Sequence, residues 1–152
     1  YSSFGVELER FVKIKNFDLR GAITYVKAEI VDNNDNVNIG NTPRRQPGLT
    51  YNILPSYNFK GGHVIGVSVI GQTSSYAQDN NVLKMPGYAI FNAYFRYNIT
   101  KGLAVNLNVN NLANTMGITE SEEGSIVEGQ TNFVRARSIS GRSIVGGITF
   151  NF

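Results

Sequence analysis

The sequence contains no cysteine and no tryptophan, has a single histidine, and carries few charges. Charged residues make up 16% of the 152 residues, compared with roughly 25% in ordinary soluble domains. With His63 alone and no thiol, the usual zinc sites and the nucleophile–base pairs of hydrolases cannot be assembled. We therefore expect no enzyme, no metal site and no cofactor. The lack of cysteine is compatible with an oxidising compartment but does not indicate one.

Long apolar runs are also missing. No stretch of about 18 apolar residues occurs, which excludes a membrane-spanning helix. The net charge of +3 is too small, and its basic residues too dispersed, to indicate a nucleic-acid partner. The residues that are abundant are glycine, with 16 copies, asparagine, and the 17 tyrosines and phenylalanines together. This composition is typical of a β-barrel with a wet interior and aromatic girdles.

The most informative pattern is at the end of the chain. Alternate residues there are apolar or small, whereas those between them are mostly polar or small. The apolar or small set comprises Ile144, Gly146, Ile148, Phe150 and Phe152. One face of this last strand favours hydrocarbon and the other tolerates water. An outer-membrane barrel has such a strand, because its final strand closes the cylinder and faces lipid.

Alternation with a period of two continues along nearly the whole chain, and no segment shows a helical face. It predicts seven antiparallel strands. The first six lie at about 2–12, 18–31, 47–59, 64–76, 86–98 and 103–111, and the last begins between Phe133 and Gly141 and ends at Phe152. Pro55 lies inside the third strand, where it removes a donor from the ladder. Because Tyr1 to Phe4 already has the pattern of a strand, we expect a piece of a larger protein.

The connections and the aromatic residues support the same architecture. Short turns near residues 15, 61 and 100 alternate with long polar loops near residues 39, 81 and 123. Outer-membrane barrels have short periplasmic turns and long extracellular loops. One predicted aromatic band lies near the short turns and consists of Phe11, Phe17, Tyr57, Phe59, Phe95, Tyr97, Phe150 and Phe152. A second lies near the long loops and consists of Tyr25, Tyr51, Tyr76 and Tyr88. Two bands at these positions predict interfacial girdles.

The chain resembles the C-terminal part of a TonB-dependent outer-membrane receptor over nearly all of its length. The resemblance is carried by Asn41–Gly48 leading into Tyr51-Asn52, by Met85–Tyr88, by Val109–Asn114, by Gly141–Ser143 and by the terminal aromatic residue. It implies that residues 1–152 form about the last seven strands of a barrel of about 22 strands. The plug domain and the N-terminal strands would then be absent from this sequence.

The resemblance also implies a function. Such receptors lie in the outer membrane of Gram-negative bacteria and import scarce nutrients such as ferric siderophores, cobalamin or oligosaccharides. The implied partners are outer-membrane lipid and lipopolysaccharide, the plug domain and remaining strands of the same receptor, and the barrel-assembly machinery. The TonB complex would be contacted through the missing N-terminal part.

Several charged residues are candidate ligand contacts. Arg44 and Arg45, in a predicted outer loop, could attract an anionic ligand such as a ferric chelate, or could be a solvated tip that meets lipid phosphate. Arg142 falls on the lipid-facing parity near the outer interface, where an arginine can contact lipid phosphate. The acidic residues of the last loop could bind divalent cations or keep the loop soluble. They are Glu120, Glu122, Glu123 and Glu128.

Other candidates lie on the strands. Asn106, Asn108 and Asn110 are expected to face the lumen, either as a surface for plug or substrate or as plain wet wall. By the resemblance, Ile148, Phe150 and Phe152 form the membrane-insertion signal that the barrel-assembly machinery recognises; the alternative is a simple girdle. His63, in a tight turn beside two glycines, is expected to be solvated.

Three other architectures fit parts of the pattern. One is a small soluble β-barrel that binds an apolar ligand, in the manner of lipocalins. Another is a β-sandwich adhesin or assembly module. The third is a complete eight-stranded barrel, which the odd strand count disfavours. The direction of Leu103, Val105, Leu107 and Val109 separates the first from a membrane barrel: these side chains point inward in a soluble binder and outward in a membrane barrel.

Overall fold

The computed structural model describes residues 1–32, 37–122, 127–131 and 133–151. Its strands are β1 Ser2–Ile14, β2 Phe17–Glu29, β3 Leu49–Asn58, β4 Val64–Gln72, β5 Ser75–Tyr76, β6 Lys84–Met85, β7 Tyr88–Asn98, β8 Leu103–Asn110, β9 Ile118–Ser121, β10 Ala136–Ser138 and β11 Ser143–Phe150. Within the described residues, no helix is long and apolar enough to cross a membrane. Phe152, the predicted terminal aromatic, lies outside the described residues.

The main element is a seven-stranded antiparallel sheet in the order β1-β2-β3-β4-β7-β8-β11. Each strand pairs with the next one in this chain order, so the sheet is an up-and-down meander. Two small hairpins, β5-β6 and β9-β10, lie in the long loops. Across the described residues β1 and β11 do not pair with each other, so the sheet is open. The antiparallel all-β prediction is confirmed.

The register gives the sheet two chemically different faces. One row of directly paired residues crosses all seven strands and is apolar apart from a glycine: Ile14, Phe17, Tyr57, Ile65, Phe95, Leu107 and Gly146. The neighbouring row is mostly polar: Lys13, Asp18, Ser56, Gly66, Tyr94, Asn108 and Val145. Because successive strand residues point to opposite sides, these rows mark an apolar face and a polar face.

The apolar face is not covered. Val105 is 37% exposed, Leu107 42% and Ile148 65%. The buried hydrophobic residues in the described part of the chain are only Ile30, Ala77, Met85 and Ala104. A lipocalin-like barrel would enclose its apolar residues, and a sandwich would cover them with a second sheet. The described residues do neither. Their large sheet is instead a section of a barrel that is not closed.

The short connections are confirmed at 15–16, 59–63 and 99–102, and the long ones at 30–48, 73–87 and 111–142. The turn between β3 and β4 needs glycine for two reasons. Gly61 and Gly62 have φ of 90° and 77°, which side chains rarely adopt. A Cβ on Gly62 would also lie 2.6 Å from the Asn98 amide nitrogen. That amide donates to both glycine carbonyls and links this turn to the end of β7.

Some predicted boundaries are wrong. The fourth strand does not run to Tyr76: β4 ends at Gln72, and Tyr76 belongs to the β5-β6 hairpin. The last strand begins at Ser143, later than predicted, because the β9-β10 hairpin and its linker occupy the preceding segment. At Pro55 the pairing between β3 and β4 is interrupted, but its register does not shift. The pairs Ile53–Val69 and Ser56–Gly66, on either side of the gap, keep one register.

The aromatic bands need one correction of face. Phe11 pairs with Arg20 on the polar face, and the Arg20 guanidinium carbon lies 5.7 Å from the centre of its ring. Tyr88 pairs with Gln72 and also lies on the polar face. These two rings cannot belong to a girdle on the apolar side. The paired rows place Phe17, Tyr57, Phe95 and Tyr97 on the apolar face as expected.

Candidate functional site

The three long loops emerge from the same end of the sheet and contact one another there. We call them the first loop (30–48), the second loop (73–87) and the third loop (111–142), and each is described except at the gaps given above. Loops at one end of a rigid sheet are the usual place for ligand contacts. The loop-bearing end is therefore the candidate functional site.

The first and second loops are joined by hydrogen bonds between side chains of one loop and backbone groups of the other. Asn81, with φ of 56°, accepts the Thr42 backbone N–H at 3.0 Å and donates its amide to the Thr42 carbonyl at 2.7 Å. The Asp79 carboxylate accepts the Arg44 backbone N–H at 2.8 Å. The Asp79 carbonyl accepts the Asn41 side-chain amide at 2.9 Å. These bonds fix the segment that precedes Arg45.

Arg45 connects all three loops. Its backbone has φ of 58°, and its N–H donates to the Tyr76 carbonyl of the second loop at 2.7 Å. Its guanidinium lies 3.2 Å from the Glu120 carboxylate and donates to the Ser121 carbonyl at 3.3 Å, both in the third loop. Arg45 thus lies at the junction of the loops.

A pocket of 390 Å³ lies beside Arg45. Its lining is Arg45, Glu120, Ser121, Glu122, Arg135, Ala136 and Arg137. The other Glu120 oxygen lies 3.1 Å from the Arg137 guanidinium, so one carboxylate bridges two arginines. These groups are more than a third exposed, so each ion pair contributes only about 0.2–1 kcal/mol. Among the described residues of the lining, three arginines stand against two glutamates, an excess of one positive charge.

Asn111 holds the third loop to the sheet. It is 3% exposed and has φ of 49°. Its side-chain amide donates to the carbonyls of Thr115 and Ser140, both at 2.9 Å, and its side-chain oxygen accepts the Thr115 N–H at 2.8 Å. Its own N–H donates to the Asn92 side chain at 2.9 Å. One buried amide therefore ties both ends of this loop together.

Two glycines bring the second and third loops close to the start of β7. A Cβ on Gly87 would lie 2.6 Å from the Gln72 carbonyl oxygen, so only glycine allows this approach. A Cβ on Gly117 would lie 2.6 Å from the Tyr88 ring, which covers that glycine. The Met85–Tyr88 stretch thus contains the end of the β5-β6 hairpin, the glycine that approaches Gln72 and the ring that covers Gly117.

The predicted charged residues are brought together only in part. Arg45 lines the pocket, whereas Arg44 is exposed and the pocket does not include it. Arg142 is exposed and lies just before β11, with its backbone N–H donated to the Asn114 side chain at 3.0 Å. Glu120 contacts two arginines, which the sequence did not indicate. Glu123 lies outside the described residues.

The predicted strand residues lie where the alternation places them. Asn106, Asn108 and Asn110 share the polar face. Asn106 donates to the Thr149 hydroxyl at 2.9 Å, and Asn110 donates to the Ser143 hydroxyl at 3.1 Å, so β11 engages both. Ile148 and Phe150 pair with Val105 and Leu103 on the apolar face.

Sequence reasoning missed three contributors to the site. Arg135 and Arg137 are close to each other in the sequence, but nothing local placed them opposite Arg45. Asn111 belongs to the Val109–Asn114 stretch, but its φ and its burial cannot be read from the sequence.

The described part of the chain contains no group of three or more metal-ligating side chains. The divalent-cation interpretation of the acidic loop therefore gains no support there.

A protein-family model described as "TonB dependent receptor-like, beta-barrel" matches residues 2–112. A search of curated proteins finds no match.

Solved structures show the same fold. The siderophore receptor PiuA from Acinetobacter baumannii superposes with a TM-score of 0.83 at 21% identity, over 97% of this chain and 21% of that one. The ferric preacinetobactin receptor BauA from Acinetobacter baumannii superposes with a TM-score of 0.78 at 16% identity, over 99% of this chain and 22% of the BauA chain. The ferric yersiniabactin uptake receptor FyuA from Yersinia pestis gives 0.77 at 18% identity, with coverages of 96% and 22%. The chain thus spans about a fifth of the length of these proteins.

Proposed function

Because the chain belongs to the TonB-dependent receptor β-barrel family, we propose that it is part of an outer-membrane receptor that imports an anionic ferric chelate of the siderophore class. Residues 1–152 would be the C-terminal part of the barrel domain. A plug domain and further strands of the same receptor would complete it. The two unpaired edges, β1 and β11, are the places where those strands would add.

The two faces of the sheet support an outer-membrane location. In a membrane barrel the apolar face contacts hydrocarbon and the polar face lines a wet lumen. Asn106, Asn108 and Asn110 would then face the lumen, where plug or substrate passes. The short turns would lie in the periplasm and the three long loops outside the cell. Arg142 would reach the phosphates of lipopolysaccharide at the outer interface.

The observation that favours an anionic cargo is the pocket at the loop junction. Three arginines, Arg45, Arg135 and Arg137, line one space. Guanidinium groups bind carboxylate and similar oxygen anions through paired, charge-assisted hydrogen bonds. Many ferric chelates carry a net negative charge, whereas oligosaccharides and cobalamin offer less for three arginines to bind. The similar structures described above are a siderophore receptor, a ferric preacinetobactin receptor and a ferric yersiniabactin uptake receptor.

The pocket suggests how binding would begin. The Glu120 carboxylate is the shared ion-pair partner of Arg45 and Arg137. An incoming anion would compete with this carboxylate for the same two guanidinium groups. Since the Arg45 guanidinium joins the first loop to the third, this exchange would couple binding to loop position. Passage through the barrel would require the plug and the TonB complex, which the N-terminal part would contact.

Assembly would depend on the last strand. Ile148 and Phe150 lie on the apolar face of β11, and Phe152 follows them. We propose that these three residues form the signal recognised by the barrel-assembly machinery.

Uptake of iron tests the proposal. A strain lacking the gene for the full-length receptor is supplied with ferric citrate, a ferric catecholate or a ferric hydroxamate as its iron source. We expect loss of growth and of radioactive iron uptake on one of them, restored by the wild-type gene. An Arg45→Gln variant should restore uptake poorly, whereas Lys84→Gln, which removes a charge outside the pocket, should restore it fully. Unimpaired growth on every iron chelate, with loss of growth on cobalamin or a glycan, would contradict the proposal.

A further inference from the structure

Each of the three short turns carries one lysine. They are Lys15, Lys60 and Lys101, and the turns at 15–16, 59–63 and 99–102 contain no acidic residue. The long loops, in contrast, carry charges of both signs, for example Asp79 and Glu120 beside Arg45 and Arg137. The short-turn end of the sheet is therefore positively charged where it borders the apolar face. Lysines at such a border attract anionic headgroups.

A groove lies on the apolar face beside Lys60. It has a volume of 560 Å³, and we call it the aromatic groove. Its lining is Asn16, Tyr57, Phe59, Lys60, His63, Phe95 and Tyr97. Its walls are aromatic: the Tyr57 and Phe59 rings meet edge to face at 4.7 Å, and the Phe95 and Tyr97 rings stack at 6.2 Å. Among the pockets that adjoin the three lysines, this one joins apolar walls to a cationic rim.

The groove is held in shape by its turn. The His63 ring stacks on Tyr97, with ring centres 4.3 Å apart and planes 10° apart. Its Nδ1 accepts the Asn98 backbone N–H at 3.0 Å, and its carbonyl accepts the Phe59 N–H at 2.8 Å. His63 therefore connects both aromatic walls while its side chain stays half-exposed. A preformed site loses less entropy when a ligand binds.

We propose that the aromatic groove binds an anionic phospholipid of the periplasmic leaflet. One acyl chain lies against the four aromatic rings, and the Lys60 ammonium meets the phosphate. The charge of the turns selects this occupant, because a neutral apolar molecule would gain nothing from a lysine at each turn. This inference depends on the proposed membrane location, and it adds a defined lipid site to the general girdle.

Native mass spectrometry of the full-length receptor tests the site. The receptor is purified in detergent, stripped of lipid, and titrated with phosphatidylglycerol or phosphatidylcholine carrying identical acyl chains. We expect the wild type to retain phosphatidylglycerol about fivefold more strongly than phosphatidylcholine. Lys60→Gln should remove most of this difference, whereas Lys84→Gln, at the opposite end of the sheet, should preserve it. Tyr97→Leu should weaken binding of both lipids.

Equal retention of phosphatidylglycerol by the wild type and by Lys60→Gln would overturn the inference. Since Lys60 is exposed in a turn, this variant should fold, and the shift of the folded barrel on unheated gels checks it. Membrane fractionation and iron uptake of the same strains separate the two proposals. A receptor found in the outer membrane and active in uptake, but with no lipid preference, refutes the lipid site alone. A receptor absent from the outer membrane refutes the proposed function.

Discussion

Arg45 and Glu120 form an ion pair of 3.2 Å between the first and third long loops, and the same carboxylate reaches Arg137 at 3.1 Å. The pair joins chain segments that are far apart in sequence. The Glu120 carboxylate thus contacts two of the three arginines that line the described part of the pocket. If the pocket binds an anion, Glu120 is the competitor that the ligand must displace.

Whether Glu120→Gln raises or lowers the affinity for the ferric chelate shows whether Glu120 competes with the ligand or only holds the loops in place. Removing the carboxylate takes away the competitor for both guanidinium groups, so we expect affinity for the ferric chelate to rise. Arg45→Gln removes a contact to the anion, and its affinity should fall about tenfold, the equivalent of about 1.4 kcal/mol. Fluorescence titration of the full-length receptor with its ferric chelate measures both. Weaker binding by both variants would show that the ion pair serves only to hold the loops.

Asn111 should be necessary for the order of the third loop. Asn111→Ala leaves the Thr115 N–H and the carbonyls of Thr115 and Ser140 without their partner. Each hydrogen bond lost contributes about 0.5–1.5 kcal/mol, so the loop should detach locally. Hydrogen exchange of the full-length receptor should then rise across 111–122. Asn110→Ala removes one exposed hydrogen bond and should leave exchange there unchanged. Unchanged exchange in Asn111→Ala would contradict the assignment.

The two glycines Gly87 and Gly146 provide a matched pair. A methyl group at Gly87 would approach the backbone of residues 72–74, whereas nothing lies within 4 Å of a Cβ at Gly146. Gly87→Ala should therefore destabilise the receptor by about 1–3 kcal/mol. Gly146→Ala should have little effect. The temperature at which the folded form disappears on gels measures both, and equal loss by the two variants would argue against the tight approach at Gly87.

A charge on each face should have a different effect. Leu107→Arg places a cation on the apolar face, where a position deep in the bilayer costs about 2–4 kcal/mol. Asn108→Arg places the same charge on the polar face, where water solvates it. We expect the folded amount in the outer membrane to fall for Leu107→Arg and to stay near the wild-type amount for Asn108→Arg. Equal amounts of the two variants would contradict the assignment of faces.

The faces of the sheet could be predicted from the sequence because strand geometry converts a period of two into two sides. Leu107 and Asn108 needed no tertiary information. Phe11 shows where the rule must be followed strictly. Its aromatic character suggested the girdle, but its position between Glu9 and Lys13 in the alternation placed it with Arg20 on the polar face. For Phe11, the position in the alternation therefore predicted the face of the sheet better than the aromatic side chain did.

The loops could not be predicted in the same way. The β9-β10 hairpin is too short for alternation to be visible, and its position depends on Arg45, which belongs to another loop. Asn111 and Asn81 act through left-handed backbone angles and buried hydrogen bonds, which depend on the surrounding fold. The contacts of His63 could not be predicted either, because Tyr97, on which its ring stacks, belongs to β7.

The account depends most on the apolar face lying in lipid and the polar face in water. This chain contains no cysteine, so in a cysteine-free form of the full-length receptor single cysteines for nitroxide labels can be placed at successive β8 positions by Val105→Cys, Asn106→Cys, Leu107→Cys and Asn108→Cys. In the full-length receptor in bilayers, collision rates with oxygen and with a water-soluble nickel chelate are measured. We predict that labels at 105 and 107 collide mainly with oxygen and those at 106 and 108 mainly with nickel. The opposite alternation, or none, would contradict the membrane-barrel assignment.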